Sequence, residues 1–489
     1  MSLHTKTIDQ LHELLVNKEL TVVELIESTF DYIEEVDPVV GAFITTNKVA
    51  ALAEAALVDE RGVDADNVLD GIPVAVKDNI VTKEGTTTAA SKMLENFTSV
   101  YDATVVEKIK EAGMIIVGKV NLDEFAMGGT TETSRLQKTV NPWNTTKVPG
   151  GSSGGSAAAV SSGMVPVALG TDTGGSIRQP AAFTNLVGIK PTYGTISRYG
   201  VIAFASSLDQ VGPMTRTVKD NAVMLNLLSG KDQKDGTSQE LDIDYTGKIG
   251  QDIKGLKIGM PKEFFDADGL SSEVYDTVKE AIGKLEELGA EIVEVSIPTF
   301  KYSVPAYYVI ASAEASSNLQ RFDGIRYGHS TEDAKNLEEL YVKSRTEGFG
   351  DEVKRRIILG AVSLGVNHYD ELFGKATKVR TLLRQEMEKV LEEVDVIVGP
   401  SITRTAPTLG SVDGKDPAEE YMDDILTVAV NLTGVPGLNI PVGFSDGLPI
   451  GMQLIGNYFE EATLYQIGHA FEQATDYHKQ FPTIEGGVN

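Results

Sequence analysis

The chain has 489 residues, with 43 Lys+Arg against 71 Asp+Glu, a formal net charge of −28 and no cysteine. These counts exclude disulfide frameworks, cysteine zinc sites and cysteine nucleophiles, and they argue against a broad surface grip on a polyphosphate backbone. A hydrophobic fraction of 41% with 23% charged residues belongs to a globular protein, not a disordered one.

The charge is uneven. Between Gly71 and Thr215 stand twelve basic and eleven acidic residues, so the acidity lies almost wholly in the flanks. The longest uncharged stretch, Val148–Thr171, has 24 residues, but six Gly, five Ser and two Pro make it a buried loop and helix, not a membrane span. The N-terminus has no apolar run of the secretory kind, and a cytoplasmic protein is expected.

In chain order, Thr21 and Glu24 form a capping box, and Val22, Leu25, Ile26, Phe30 and Ile33 follow at helical spacing. Ala50–Val58 reads as a second helix. Gly71–Lys77 is a short apolar strand. Asp102 is expected to cap a helix through Ile109 that stops at Gly113, and Met114–Val117 is a strand covered on both faces. Two Gly/Ser clusters follow, Pro149–Ser156 before an Ala-rich helix and Gly170–Ser176 after the apolar run Val165–Leu169. Residues 230–252 read as an external loop. Then come a strand (Leu256–Met260), a helix (Ser272–Leu288), a strand (Glu291–Ile297), a long helix (Tyr369–Glu393) and a strand (Val394–Val398). Strands at Leu438–Val442 and Pro449–Ile455 precede a last helix near Glu461–Ala474. Alternating strands and helices predict an α/β fold with a central mixed, mostly parallel sheet, covered by helices on both faces.

Three chemistries compete for the Gly/Ser core. Gly150-Gly151-Ser152-Ser153-Gly154 matches a nucleophile elbow, but the preceding Asn141–Lys147 is polar where that elbow needs an apolar strand. No histidine lies between His12 and His329. Glycine-rich turns also bind phosphate, yet neither phosphate-loop pattern is present. The third chemistry is a serine activated by a desolvated lysine. Lys77 follows Val74-Ala75-Val76, and alternation sends neighbouring Asp78 to the opposite face.

Val148–Ala157, Gly170–Pro180 and Gly188–Gly194 together resemble the core signature of the amidase signature enzymes. The resemblance covers essentially all of 1–489. It implies one domain: an N-terminal helical region (1–65), a Gly/Ser-rich catalytic core (66–229) and a C-terminal part (253–489) completing the substrate pocket. Gly118–Gly128, Ser197–Gly200, Ala203–Asp209, Arg355–Gly360, Asp424–Thr427 and Asn431–Gly437 are similar to the glutaminase subunits of tRNA-dependent amidotransferases. Gly129-Thr130, Arg135–Val140, Ala89 and Thr184 depart from that pattern.

The resemblance implies a triad of Lys77, Ser152 and Ser176, with Ser176 as nucleophile. Backbone N–H groups of Thr173, Gly174 and Gly175 are the implied oxyanion hole. It nominates Arg356, Asp424 and Tyr307 for a glutamine pocket, with Arg355 and Asp423 as neighbours one position away. Ser153 and Ser156 read as turn and cap residues, and Asp172 with Arg178 as a supporting ion pair. The implied activity is hydrolysis of glutamine to glutamate and ammonia. Ammonia would pass to a partner that converts Glu-tRNA(Gln) to Gln-tRNA(Gln), using ATP and Mg²⁺ bound there. No cofactor or metal is expected in this chain. Two partner subunits are expected, one large and one small, with tRNA held mainly by the partner and no membrane contact. The alternatives are a stand-alone amidase for small amides and a noncatalytic scaffold.

Overall fold

A computed structural model describes residues 3–411 and 421–484. Its centre is one eleven-stranded sheet: β1 (Phe43–Thr46), β2 (Pro73–Lys77), β3 (Ile115–Val120), β4 (Val167–Asp172), β5 (Val187–Lys190), β6 (Gln210–Thr215), β7 (Lys257–Pro261), β8 (Glu291–Val295), β9 (Val396–Pro400), β10 (Gly437–Ser445) and β11 (Leu448–Gly456). The spatial order is β1-β3-β2-β4-β6-β5-β10-β11-β9-β7-β8.

The sheet is mixed, but it is not mostly parallel. Six of the ten pairings are antiparallel and four parallel. Parallel β2, β3 and β4 form one island and β7, β8 and β9 the other. The antiparallel middle arises because β5 and β6 are joined without an intervening helix, and β10 and β11 by the tight turn Asp446-Gly447. Alternation of strands and helices is blind to both reversals.

Helices cover both faces. On β10, Leu438 and Ile440 lie against Gly468 of helix Glu461–Gln473. Asn439, between them, faces the other way, toward helix Arg178–Phe183, and its amide donates to Leu186 O at 2.8 Å. Most sequence-predicted elements appear with ends shifted by a few residues, as terminal fraying leads one to expect.

Four expectations need correction. The 1–65 region contains helices Ile8–Val16, Val22–Val40 and Lys48–Arg61, but also β1, paired antiparallel at the sheet edge with β3. Asp102 does not cap helix Thr104–Glu111. Its carboxylate accepts from Lys83 N at 2.7 Å and from Lys110 Nζ at 3.1 Å. Residues 230–252 lack regular structure but are not simply external, since Ser238 and Tyr245 are fully buried. Helices Ser303–Asn318, Leu337–Gly348 and Asp351–Ser363 were not anticipated. Helix Asp351–Ser363 shows why: it buries Arg356 and exposes Ile358, Leu359 and Val362, the reverse of an ordinary amphipathic helix.

Among the described residues no helix is long and apolar enough to cross a membrane.

The seam between the two halves of the chain is the β5–β10 pairing. Buried Asn439 stabilises it by accepting from Ser401 Oγ at 2.6 Å and donating to Leu186 O. Asn439→Leu leaves both groups unpaired, at a cost of roughly 1–3 kcal/mol. The expected outcome is a lower midpoint in urea unfolding, while Ser401→Ala, which removes only one partner, lowers it less.

Candidate active site

Lys77 ends β2 and is fully buried. Its Nζ lies 2.9 Å from Ser152 Oγ, 2.8 Å from Ser153 Oγ, 2.8 Å from Thr171 Oγ1 and 3.3 Å from Thr171 O. Asp78, next in the strand, points away and pairs with Lys119 at 2.8 Å. Burial is the main influence on the Lys77 amine. It lowers the pKa from 10.5 to about 7, against the opposing pull of Asp123, Asp172 and Asp209.

The hydrogen bonds assign each hydroxyl a direction. Ser153 Oγ donates to Thr171 O at 3.1 Å, so toward Lys77 it acts as acceptor. Thr171 Oγ1 accepts from Asn79 Nδ2 at 3.0 Å. A neutral amine has two hydrogens and one lone pair. Ser153 takes one hydrogen, and Thr171, through its carbonyl at 3.3 Å, can take the other, which leaves the lone pair for the hydroxyl hydrogen of Ser152 or Thr171. Ser153 is therefore part of the lysine's environment, which the turn-residue reading missed. Ser156 is structural, its hydroxyl donating to Leu169 O at 2.9 Å.

Ser176 stands on the turn after β4. Ser153 N donates to Ser176 O at 3.1 Å, which brings the two serine turns together. Among the described residues the Ser152 and Ser176 hydroxyls make no hydrogen bond to each other. Of the three expected oxyanion donors, the Gly175 N–H is already engaged by Asp172 Oδ1 at 2.8 Å, which corrects that assignment. The N–H groups of Thr173, Gly174 and Ser176 make no hydrogen bond among the described residues. The glycines answer to space as well. A Cβ at Gly174 would sit 2.5 Å from the Tyr307 ring, and one at Gly175 (φ +127°) 2.3 Å from Thr427 Oγ1.

The whole turn is braced by Asp172 and Arg178, both fully buried. Arg178 Nε and Nη2 reach the carboxylate at 3.1 and 3.2 Å. Nη2 also donates to Asn431 Oδ1 at 2.7 Å and Thr427 O at 3.2 Å, and Nη1 to Gln453 Oε1 at 3.1 Å. Burial alone would raise the Asp172 carboxyl. Arg178 and Asn431 outweigh it and hold the carboxyl at about 2.

Arg356 and Asp424 do meet, lining one cavity with Gly129, Thr130, Gln179, Tyr308 and Tyr421. Buried Arg356 donates through Nε to Glu352 at 2.7 Å and lies 5.1 Å from the centre of the Tyr308 ring and 5.5 Å from that of Tyr421. Its Nη groups make no hydrogen bond among the described residues. Asp424 accepts from the Tyr308 hydroxyl at 2.7 Å. Burial pushes the Asp424 carboxyl up to about 7, against the pull of Tyr308 and Arg356. The neighbouring candidates have partners of their own: Arg355 pairs with Glu352 nearer the surface, and Asp423, which also lines the cavity, pairs with Arg404 at 2.5 Å. Tyr307 lies against Gly174, and the pocket wall beside Asp424 is Tyr308 instead. Gln179 connects pocket and serines, accepting from Gly151 N and donating to Gly129 O, each at 3.0 Å.

Among the described residues no group of three or more His, Asp or Glu side chains could hold a metal ion.

Residues 24–465 match the family model described as Amidase. The chain is 58% identical over 488 residues to the A-subunit of glutamyl-tRNA(Gln) amidotransferase from Streptococcus gordonii, covering 100% of both chains. It is 58% identical over 480 residues to the corresponding A-subunit from Ligilactobacillus salivarius, covering 98% of both. Among solved structures it matches the glutamyl-tRNA(Gln) amidotransferase A-subunit of Thermotoga maritima, with TM-score 0.83, 43% identity, and 99% and 98% coverage of this chain and that one. A bacterial aryl acylamidase of the amidase signature family gives TM-score 0.86 at 26% identity, covering 99% of both.

Burial brings two groups of this site, Lys77 and Asp424, to about 7, and the expected roles of both need the basic form. Lys77 must lose its proton to act as a base, and Asp424 must lose its proton to be an anion. Activity therefore rises as pH climbs through about 7. Below that point log kcat/KM is expected to fall with a slope approaching about two, because this parameter reports groups of the free enzyme. A slope of one, or a midpoint near 10, in a pH–rate profile would contradict this assignment.

Proposed function

The chain belongs to the amidase family, and on that premise we infer that it works as the glutamine-hydrolysing subunit of a tRNA-dependent amidotransferase. It is an enzyme of amidase chemistry. The observation that carries the reading is the buried Lys77–Ser152 contact beside a cavity that presents a cation and a carboxylate together.

Glutamine is a zwitterion, and the pocket answers it in kind. The Nη groups of Arg356 take the α-carboxylate, and Asp424 takes the α-ammonium. Tyr308, with Tyr307 behind it, walls the site. The side-chain amide then reaches the Ser176 turn. Neutral Lys77 accepts the Ser152 proton while Ser152 accepts that of Ser176. The Ser176 Oγ forms a bond to the amide carbon. The carbonyl oxygen becomes an oxyanion facing the N–H groups of Thr173, Gly174 and Ser176. Removing one such donor costs roughly 3–4 kcal/mol in comparable sites. The relay returns the proton to the leaving nitrogen, the C–N bond breaks and ammonia departs. Water, activated by the same relay, cleaves the Ser176 ester to glutamate.

The ammonia passes to a partner that holds ATP, Mg²⁺ and Glu-tRNA(Gln). A large and a small partner complete a cytoplasmic heterotrimer. The surplus of carboxylates on this chain suits a division of labour in which a partner carries the tRNA.

The test is release of glutamate and ammonia from glutamine. Ser176→Ala and Lys77→Ala are each expected to lower kcat by at least about a thousandfold. Near-parent turnover in either would sink the relay. Arg356→Ala is expected to raise the glutamine KM by roughly 10–100-fold with a much smaller change in kcat, as loss of a charge-assisted bond to the ground state predicts. A parent chain that hydrolyses simple amides but leaves glutamine untouched would favour a stand-alone amidase.

A further inference from the structure

Glu124 takes no part in the serine relay or in lining the pocket, yet it is 1% exposed. A carboxyl group is buried so deeply only where specific donors hold it. Its Oε1 accepts from Ser91 Oγ at 2.5 Å, and its Oε2 accepts from Gly350 N at 2.8 Å. Gly350 is the N-cap of helix Asp351–Ser363 and has no side chain to cap it. Glu124, 226 residues away, takes the N-cap N–H, the donor that a Glu or Gln at the third helical position holds in a capping box and that Val353 there cannot hold. Ser91 Oγ also lies 3.2 Å from Gly348 O, so the same cluster grips the chain at the cap and two residues before it. Burial pushes the Glu124 carboxyl up to about 7, against the pull of Ser91 and Gly350, so it is the ionised fraction that opposes the positive end of the helix dipole there.

That helix carries Arg356 and its partner Glu352, and Glu352 in turn accepts from Tyr421 at 2.8 Å. On the other side of Glu124 stands Asp123. Its N–H donates to Ser152 O at 3.2 Å, and its carboxylate accepts from Thr131 N at 2.9 Å. Two consecutive residues thus hold the Ser152 turn and the helix of the pocket cation. We propose that Glu124 is a positioning residue for substrate binding: by capping helix Asp351–Ser363 it sets Arg356 at a fixed distance from the serine turns. The proposal rests on the glutaminase reading for its substrate.

The test uses the full chain with glutamine. Glu124→Ala is expected to raise the glutamine KM by at least about tenfold with kcat within about twofold. Glu124→Gln keeps an acceptor oxygen for Gly350 N–H and should restore KM to within about threefold of the parent. Because Glu124 acts through Arg356, the double variant Glu124→Ala/Arg356→Ala should have a KM no higher than Arg356→Ala alone. Hydrogen exchange should quicken at backbone amides 351–356 in Glu124→Ala and stay unchanged over 167–172. An unchanged KM, a kcat that falls along with binding, or additive effects in the double variant would overturn the proposal. If Glu124→Ala does not fold, Ser91→Ala removes one of the carboxylate's partners and should give the same pattern at smaller amplitude. A parent chain inert toward glutamine would count against the proposed function. Exchange at 351–356 would still decide the role of Glu124, and unchanged exchange would refute it.

Discussion

The site depends on the buried pair Asp172–Arg178. It joins the end of β4 to helix Arg178–Phe183 across the turn that carries Ser176, and it reaches Thr427, Asn431 and Gln453 from the C-terminal half. Every polar atom of the guanidinium fork that the geometry allows finds an acceptor. That satisfaction lets two charges stay ionised without water. The turn between them is consequently held from both ends, and the Gly175 N–H is fixed to the carboxylate rather than to a ligand. Preorganisation of the remaining N–H groups follows from this pair, since donors that need not reorient cost nothing when charge appears on the substrate.

Lys77 is governed by the opposite balance. Three buried carboxylates lie near enough to favour its ammonium, yet burial prevails and the amine is lowered to about 7. The difference is one of contact. Asp123, Asp172 and Asp209 are each engaged by other donors: Asp123 by Thr131 and Thr133, Asp172 by Arg178 and Asn431, Asp209 by Thr173, Phe204 and Ala205. Lys77 receives only neutral oxygens. What leaves Lys77 without a carboxylate partner is that each nearby carboxylate is held by other donors; Lys190, equally buried, likewise bonds only a backbone oxygen, that of Pro191.

Much of this was legible in the sequence, and the misses have physical causes. Long motifs around Ser152 and Ser176, and the apolar run before Lys77, nominate groups that the fold brings close together, and they do so because their spacing is local. That Ser152 and Ser153 both face the amine, and that Ser153 does so as an acceptor, depends on turn geometry that two adjacent serines do not encode. Tyr307 and Tyr308 lie about 100° apart on a helix, so choosing between them requires its rotation. Arg355 and Arg356 posed the same problem, settled by a helix that buries Arg356 and turns Ile358, Leu359 and Val362 outward. The Glu124–Gly350 bond joins residues 226 positions apart and leaves no periodicity to read. Strand directions were lost where β5 and β6 reverse without a helix, so the mixed sheet was foreseen but its antiparallel majority was not.

The strand order has a bearing on synthesis. The six strands from β1 to β6 assemble into one continuous block from the first 215 residues, ending at β5 with an open edge. The block already contains Lys77 and both serines. It lacks Asn431 and Gln453, which share Arg178 with Asp172, and it lacks Arg356 and Asp424. A ribosome-bound chain would thus own its nucleophile long before it owned a place for the substrate. Until β10 closes on β5, Arg178 has Asp172 as its acceptor but lacks those of Thr427, Asn431 and Gln453. Late arrival of the C-terminal half makes the cavity with its cation and carboxylate a property of the longer chain alone.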